Sequence, residues 1–129
     1  MTILITVLAA LAALLHVYIF WMESLAWTGP AARRTFGPAT DDEVRATRAL
    51  AYNQGFYNLF LAIVTVVGIA FLLSGDSPVG PALVLVGTGS MLAAAAVLFF
   101  YDAGKRRAAI TQGTLPLLTV VAPLIALAV

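Results

Sequence analysis

Four long apolar runs, separated by three polar breaks, organise the chain. Each approaches the about 20 residues that a helix needs to cross about 30 Å of hydrocarbon. They predict spans at about residues 2–23, 44–73, 80–101 and 109–129. Between the first two, Gly29, Pro30, Gly37 and Pro38 interrupt the stretch from Ser24 to Thr40, which reads as a loop. Thr40 and Glu43 then have the spacing of a capping box, with Asp41 and Asp42 in the turn that the helix dipole favours for acids. The second helix is therefore expected to start there and run to about Leu73, its first turns projecting into the cytoplasm. Residues 74–78, SGDSP, form a tight polar turn, DAGKRR forms the last connection, and Pro116 and Pro123 are placed to kink the final helix. The fold class that follows is an all-α integral membrane antiparallel four-helix bundle, a single domain over residues 1–129.

The helical faces carry the next layer of information. At about 100° per residue, Ala9, Ala12, Ala13, His16, Phe20 and Glu23 share one side of the first helix, opposite Val7, Leu11, Leu14, Leu15, Tyr18 and Met22. Small residues mark the packed side and leucines the lipid side, so His16 and Glu23 are expected to point inward. In the second helix Thr47, Ala51, Gln54, Asn58, Leu61, Ala62, Thr65 and Gly68 form the matching stripe, flanked by Asn53 and Tyr57. Gly80, Gly87, Gly89, Ser90 and the alanines from Ala93 to Ala96 suit close backbone approach in the third helix.

Composition confirms the environment, because 62% of residues are hydrophobic and only 10% charged, far from the balance of a soluble domain. A net charge of +1 is uninformative, but its distribution is not. All seven basic residues, Arg33, Arg34, Arg45, Arg48, Lys105, Arg106 and Arg107, sit in or beside the first and third connections, and the second offers only Asp76. The positive-inside rule then gives an inner-membrane, multi-pass protein with those two connections cytoplasmic and both termini outside. Trp21 and Trp27 suit the inner interface. The first run has no basic start, and His16 to Met22 continue it past any small-residue cleavage site, so it is expected to be retained as a span.

Candidate chemistry is confined to few residues. No cysteine is present, which excludes disulfides and thiolate chemistry, and one histidine with scattered carboxylates matches no metal-ligand spacing. Neither a metal nor a cofactor is expected, and no hydrolase or phosphate-binding motif occurs. Ionisable groups inside a span are costly and carry a functional hypothesis by default. His16 and Glu23 are the candidate proton-transfer pair: Glu23 lies two turns, about 10 Å, further along the axis, within reach of the same cavity. The alternatives are that His16 bonds Asn58 or a backbone carbonyl and merely ties helices, that Glu23 pairs with Arg45 or Arg48, and that Asp102 is only a helix-end residue. The run YNQGFYN, residues 52–58, supplies Asn53, Gln54, Tyr57 and Asn58 as candidate ligand-binding groups, joined by Trp27 and, from the last helix, Gln112. Gly55 leaves room there for a close neighbour or a ligand.

The order H-V-Y-I-F-W-M-E, then Trp27, a basic loop with F-G, Y-N-Q-G-F-Y-N, and T-Q-G-x-x-P in the last helix resembles a small bacterial integral-membrane family. That family is known only as the domain of unknown function numbered thirteen hundred and four. The resemblance covers essentially the whole chain and implies a four-helix inner-membrane protein. It draws attention to His16, Glu23, Trp27, Asn53, Gln54, Gly55, Tyr57, Asn58 and Gln112 and implies no activity. The expected function is binding of a lipid-like or amphipathic small molecule in a polar pocket on the cytoplasmic side. The alternatives are a lipid isomerase or hydrolase using His16 and Glu23, and a non-catalytic assembly subunit. Membrane lipids are the expected partners, nucleic acid is not, and a homo-oligomer stays open.

Overall fold

The computed structural model describes residues 1–37, 39–75 and 77–128, with Pro38, Asp76 and Val129 outside the described set. Among the described residues there is no strand. Helix α1 spans Thr2–Phe20 and continues into a π-helical turn at Trp21–Leu25. A short α2 follows at Pro30–Phe36, then α3 at Asp41–Leu73, α4 at Val79–Tyr101, a 3₁₀ turn at Ala103–Lys105, and α5 at Arg106–Ala128.

The four long helices form a ring in which α3 packs between α1 and α4, and α5 closes the circuit from α4 back to α1. Neighbours run antiparallel. On the α3–α4 seam, the Cα of Gly68 faces the backbone of Val84, Gly80 faces Leu72, and Gly87 faces Thr65, a register that advances on one helix as it retreats on the other. A β-carbon at Gly68 would stand 2.7 Å from the Val84 nitrogen, so absence of a side chain is what lets the two backbones approach. Gly89 faces open space instead and does not belong to the seam. Of the neighbouring small residues, Ala95 is buried while Ser90, Ala93, Ala94 and Ala96 are exposed.

The outer surface is apolar. Ile3, Phe100 and Leu14 are 80%, 80% and 65% exposed, whereas the interior holds alanines, glycines and threonines. That inversion of the soluble pattern suits a lipid surround. Thr2–Leu25, Asp41–Leu73 and Val79–Tyr101 are each long and apolar enough to cross a membrane. Helix α5 continues through Pro116 and Pro123, and Pro116 is buried against its neighbours.

The capping box at α3 forms as the spacing predicts: the Glu43 amide donates to Thr40 Oγ1 at 3.3 Å, and the Thr40 amide donates to Glu43 Oε2 at 2.8 Å. The first connection is corrected. Gly29 and Pro30 do not merely break the chain, because proline's fixed φ and missing N–H suit the first position of a helix. Gly37, at φ 96°, ends it. The breakers therefore bracket α2 rather than a structureless loop.

Exchange of Gly68 for alanine is expected to lower the thermal unfolding midpoint in detergent, at the about 1–3 kcal/mol typical of overpacking. Gly89→Ala, with nothing within 4 Å, should leave it unchanged or raise it. Equal effects at the two positions would refute the seam.

Candidate functional site

The π-helical turn at Trp21–Leu25 decides where the polar groups go. Its wider turn reduces the angle between successive residues, so Met22 and Glu23 both face inward. Helical periodicity placed Met22 on the lipid side, and the structure corrects this to a buried residue at 2% exposure. Gly55 of α3 accommodates the turn: a β-carbon there would lie 2.1 Å from Ser24 Oγ and 3.1 Å from Glu23 Cβ. Ser24 Oγ donates to the Tyr52 carbonyl at 2.8 Å, fastening the turn to α3. The room that Gly55 leaves is thus filled by the chain itself.

Glu23 is 8% exposed, and its Oε2 accepts from Asn58 Nδ2 at 2.9 Å. Asn58 also donates to the Gln54 carbonyl at 3.3 Å, which aims its amide across to α1. Beside this pair lies a cavity of about 320 Å³. Glu23, Trp27, Gln54, Asn58 and Gln112 line it, so five of the expected site residues come together from the π turn, the first connection, α3 and α5. Phe36, Leu50, Ala94 and Leu98 supply apolar wall.

Trp27 is held by its indole N–H, which is within reach of the Val44 carbonyl at 3.2 Å and Thr47 Oγ1 at 3.3 Å. Its ring packs against Phe36 at 5.6 Å between centroids. A second cavity, about 280 Å³, adjoins the first, and Trp27, Phe36, Thr47 and Lys105 line both.

Three expected residues lie elsewhere. His16 is 2% exposed and Nδ1 donates to the Ala12 carbonyl one turn earlier, at 2.9 Å. It does not line the Glu23 cavity, so the two do not share the one space expected of them, and its bond is the backbone-carbonyl alternative. The neighbour that Glu23 takes is Asn58 of α3. Asn53 and Tyr57 are exposed, Tyr57 at 62%, and neither lines the cavity, each sitting one residue, about 100°, off the Gln54–Asn58 stripe; Gln54 is exposed too but does line it. Tyr57 packs against Phe60 on the outer surface.

The alternative for Glu23, an ion pair with Arg45 or Arg48, is not formed among the described residues. Arg45 bonds Asp42 at 2.7 Å, and Arg33 pairs with Asp41. Asp102 Oδ1 accepts from the Gly104 amide at 2.9 Å, capping the 3₁₀ turn. Lys105 and Phe36 are lining residues that the sequence did not point to as site groups, and Thr47 is read from it only as part of the inward stripe. Lys105 was grouped with the basic residues that set topology, yet it is the only lysine among seven cations, a signal that was available.

No group of three or more metal-ligating side chains occurs among the described residues. What the arrangement offers is a buried carboxylate, free amides, two aromatic rings and an ammonium around one cavity. Such features define a small apolar helical bundle with a polar vestibule at its basic end. The chain belongs to the family described as a protein of unknown function, DUF1304, whose match covers residues 10–124. No curated protein and no solved structure matches it.

Interhelical hydrogen bonds in membranes average about 0.6 kcal/mol, but leaving a buried acceptor without its partner costs about 1–3 kcal/mol. Asn58→Ala should therefore lower stability more in the native background than in a Glu23→Leu background. A double-mutant cycle on thermal unfolding in detergent reads this, and additive effects would show that the bond carries no energy.

Proposed function

We propose that this protein is a multi-pass inner-membrane protein whose vestibule binds the polar end of an amphipathic small molecule from the cytoplasmic leaflet. The observation that carries the reading is the convergence of Glu23, Gln54, Asn58 and Gln112, from three helical elements, on one cavity in an otherwise apolar bundle. Polar groups inside a span are costly to retain, and these gather where a cavity can use them. Gln54 and Gln112 make no side-chain hydrogen bond to other described residues, so their amides are available to a ligand.

Charge supports the orientation. The seven basic residues all belong to segments at the vestibule end, which under the positive-inside rule faces the cytoplasm, with the start of α1 and the end of α5 outside. On this reading α5 is a fourth span. Leu50, 71% exposed, and Leu98 lead from the cavity to the lipid-facing surface, a path for the apolar part of the ligand. The amides around Glu23 suit holding a head group, and His16, bonded within its own helix, takes a packing role.

Native mass spectrometry of the purified protein tests this. The wild type should retain an amphipathic molecule at unit stoichiometry. Ala94→Phe, which fills the cavity from an exposed position, should lose that molecule while keeping its unfolding midpoint. Equal retention by the two proteins, or none by the wild type, would refute the reading.

A further inference from the structure

The vestibule also specifies the charge pattern of its ligand. Glu23 is more than nine-tenths buried, and only Oε2 is bonded, by Asn58. Oε1 receives no hydrogen bond and is not among the sealed, unpartnered atoms, of which Thr6 Oγ1 is the one found in the described residues. When ionised, the Glu23 carboxyl is an acceptor-only group, so its free oxygen then calls for a donor, most strongly a cationic one. The adjoining wall fits the same demand. Because the Trp27 N–H is spent on α3, Trp27 and Phe36 present ring surface rather than a donor, and ring faces attract cations.

Lys105 supplies the opposite sign at the junction of the two cavities, which both include it in their walls. Lys105 takes no part in the two ion pairs among the described residues, Arg33–Asp41 and Arg45–Asp42, and the buried carboxylate whose charge it feels is Glu23, in the wall of the same cavity. A simple anion would meet Lys105 but stand against Glu23, and a simple cation would satisfy Glu23 but face Lys105. A molecule bearing both charges within one head group meets both ends without leaving the cavity with a net charge.

Resting on the binding reading above, we infer that the ligand is an ammonium–phosphate zwitterion of the phosphoethanolamine type, its ammonium on Glu23 and its phosphate toward Lys105. A cavity of about 320 Å³ lies at the small end of ligand sites, the size for a head group whose chains remain in the bilayer. Gln54 and Gln112 then face the ester and hydroxyl oxygens between the two charges.

The test is binding of dihexanoyl phosphatidylethanolamine, dihexanoyl phosphatidylglycerol and chain-free glycerophosphoethanolamine to the detergent-purified protein, read by native mass spectrometry titration. The ethanolamine lipid should bind about tenfold or more tighter than the glycerol lipid, the ratio that one charge-assisted hydrogen bond supplies. Glu23→Gln should bring that ratio toward one, and Lys105→Gln should weaken both lipids while preserving it. Binding of glycerophosphoethanolamine would identify the free zwitterion as sufficient, and binding of the lipid alone would identify the lipid as the source. The comparison of head groups on the wild type needs no variant to fold. Glycerol lipid bound as tightly as ethanolamine lipid overturns the zwitterion. If neither binds while Ala94→Phe still expels another molecule, the zwitterion falls and the vestibule stands. No retained molecule of any kind removes both.

Discussion

The π-helical turn at Trp21–Leu25 is the constraint on which the site depends. An α-helix continued through Glu23 would keep Met22 toward lipid and leave the carboxylate a regular step from His16. The wider turn brings Met22 and Glu23 inward together and delivers the carboxylate to Asn58 at 2.9 Å. It can do so only because α3 has no β-carbon at Gly55, against which Ser24 packs before bonding the Tyr52 carbonyl. One missing methyl group on α3 thus permits an irregularity in α1, and that irregularity places the buried acid of the vestibule.

Helix length explains why open space continues past it into the second cavity, lined by Glu43, Val44 and Thr47 of α3. Thr65 lies against Gly87, Gly68 against Val84, and Leu72 against Gly80. Continuing that register brings Tyr101, where α4 ends, level with Ala51. The first turns of α3, from Asp41 to Leu50, therefore extend past α4 with no helix of the ring beside them on that flank. Trp27, Phe36 of α2 and Lys105 of the 3₁₀ turn cover the gap without filling it. Where α3 and α4 overlap, glycine and threonine allow tight backbone contact; beyond the overlap, large side chains bridge a wider space.

Much of this was legible in the sequence, for identifiable reasons. Long apolar runs and the Thr40–Glu43 cap are local signals, and the structure reproduces them. The amide stripe of Gln54 and Asn58 was readable from helical spacing, and both line the cavity. Asn53 and Tyr57 belong to the same dense polar run, yet spacing alone puts them off the stripe, and composition of the run outweighed that geometry. The π turn has no periodic signature, so the partners of Met22 and Glu23 could not be read. The Gly29-Pro30 pair was ambiguous between a break and a helix start, and the bracketing Gly37 resolves it only once the backbone is known. His16 shows a different limit: a polar residue on an inward face can be satisfied one turn back on its own helix, which no pattern of spacing between helices reveals.

The opposite end of the bundle shows that polarity is arranged and not scattered. A cavity of about 460 Å³ there is lined by Ile5, Leu72, Val84, Leu85 and Val120, by Thr2, which is exposed, and by two buried threonines, Thr88 and Thr119. Both hydroxyls bond carbonyls of their own helices, Val84 at 2.7 Å and Leu115 at 2.9 Å, so they no longer offer a free donor to the space. A side chain that bonds its own backbone is satisfied without a ligand. Glu23 Oε1, Gln54, Gln112 and Lys105 are not satisfied in that way, and all four belong to the vestibule. Unspent hydrogen-bonding groups therefore gather at one end of the bundle, while the cavity at the other end presents mostly apolar wall.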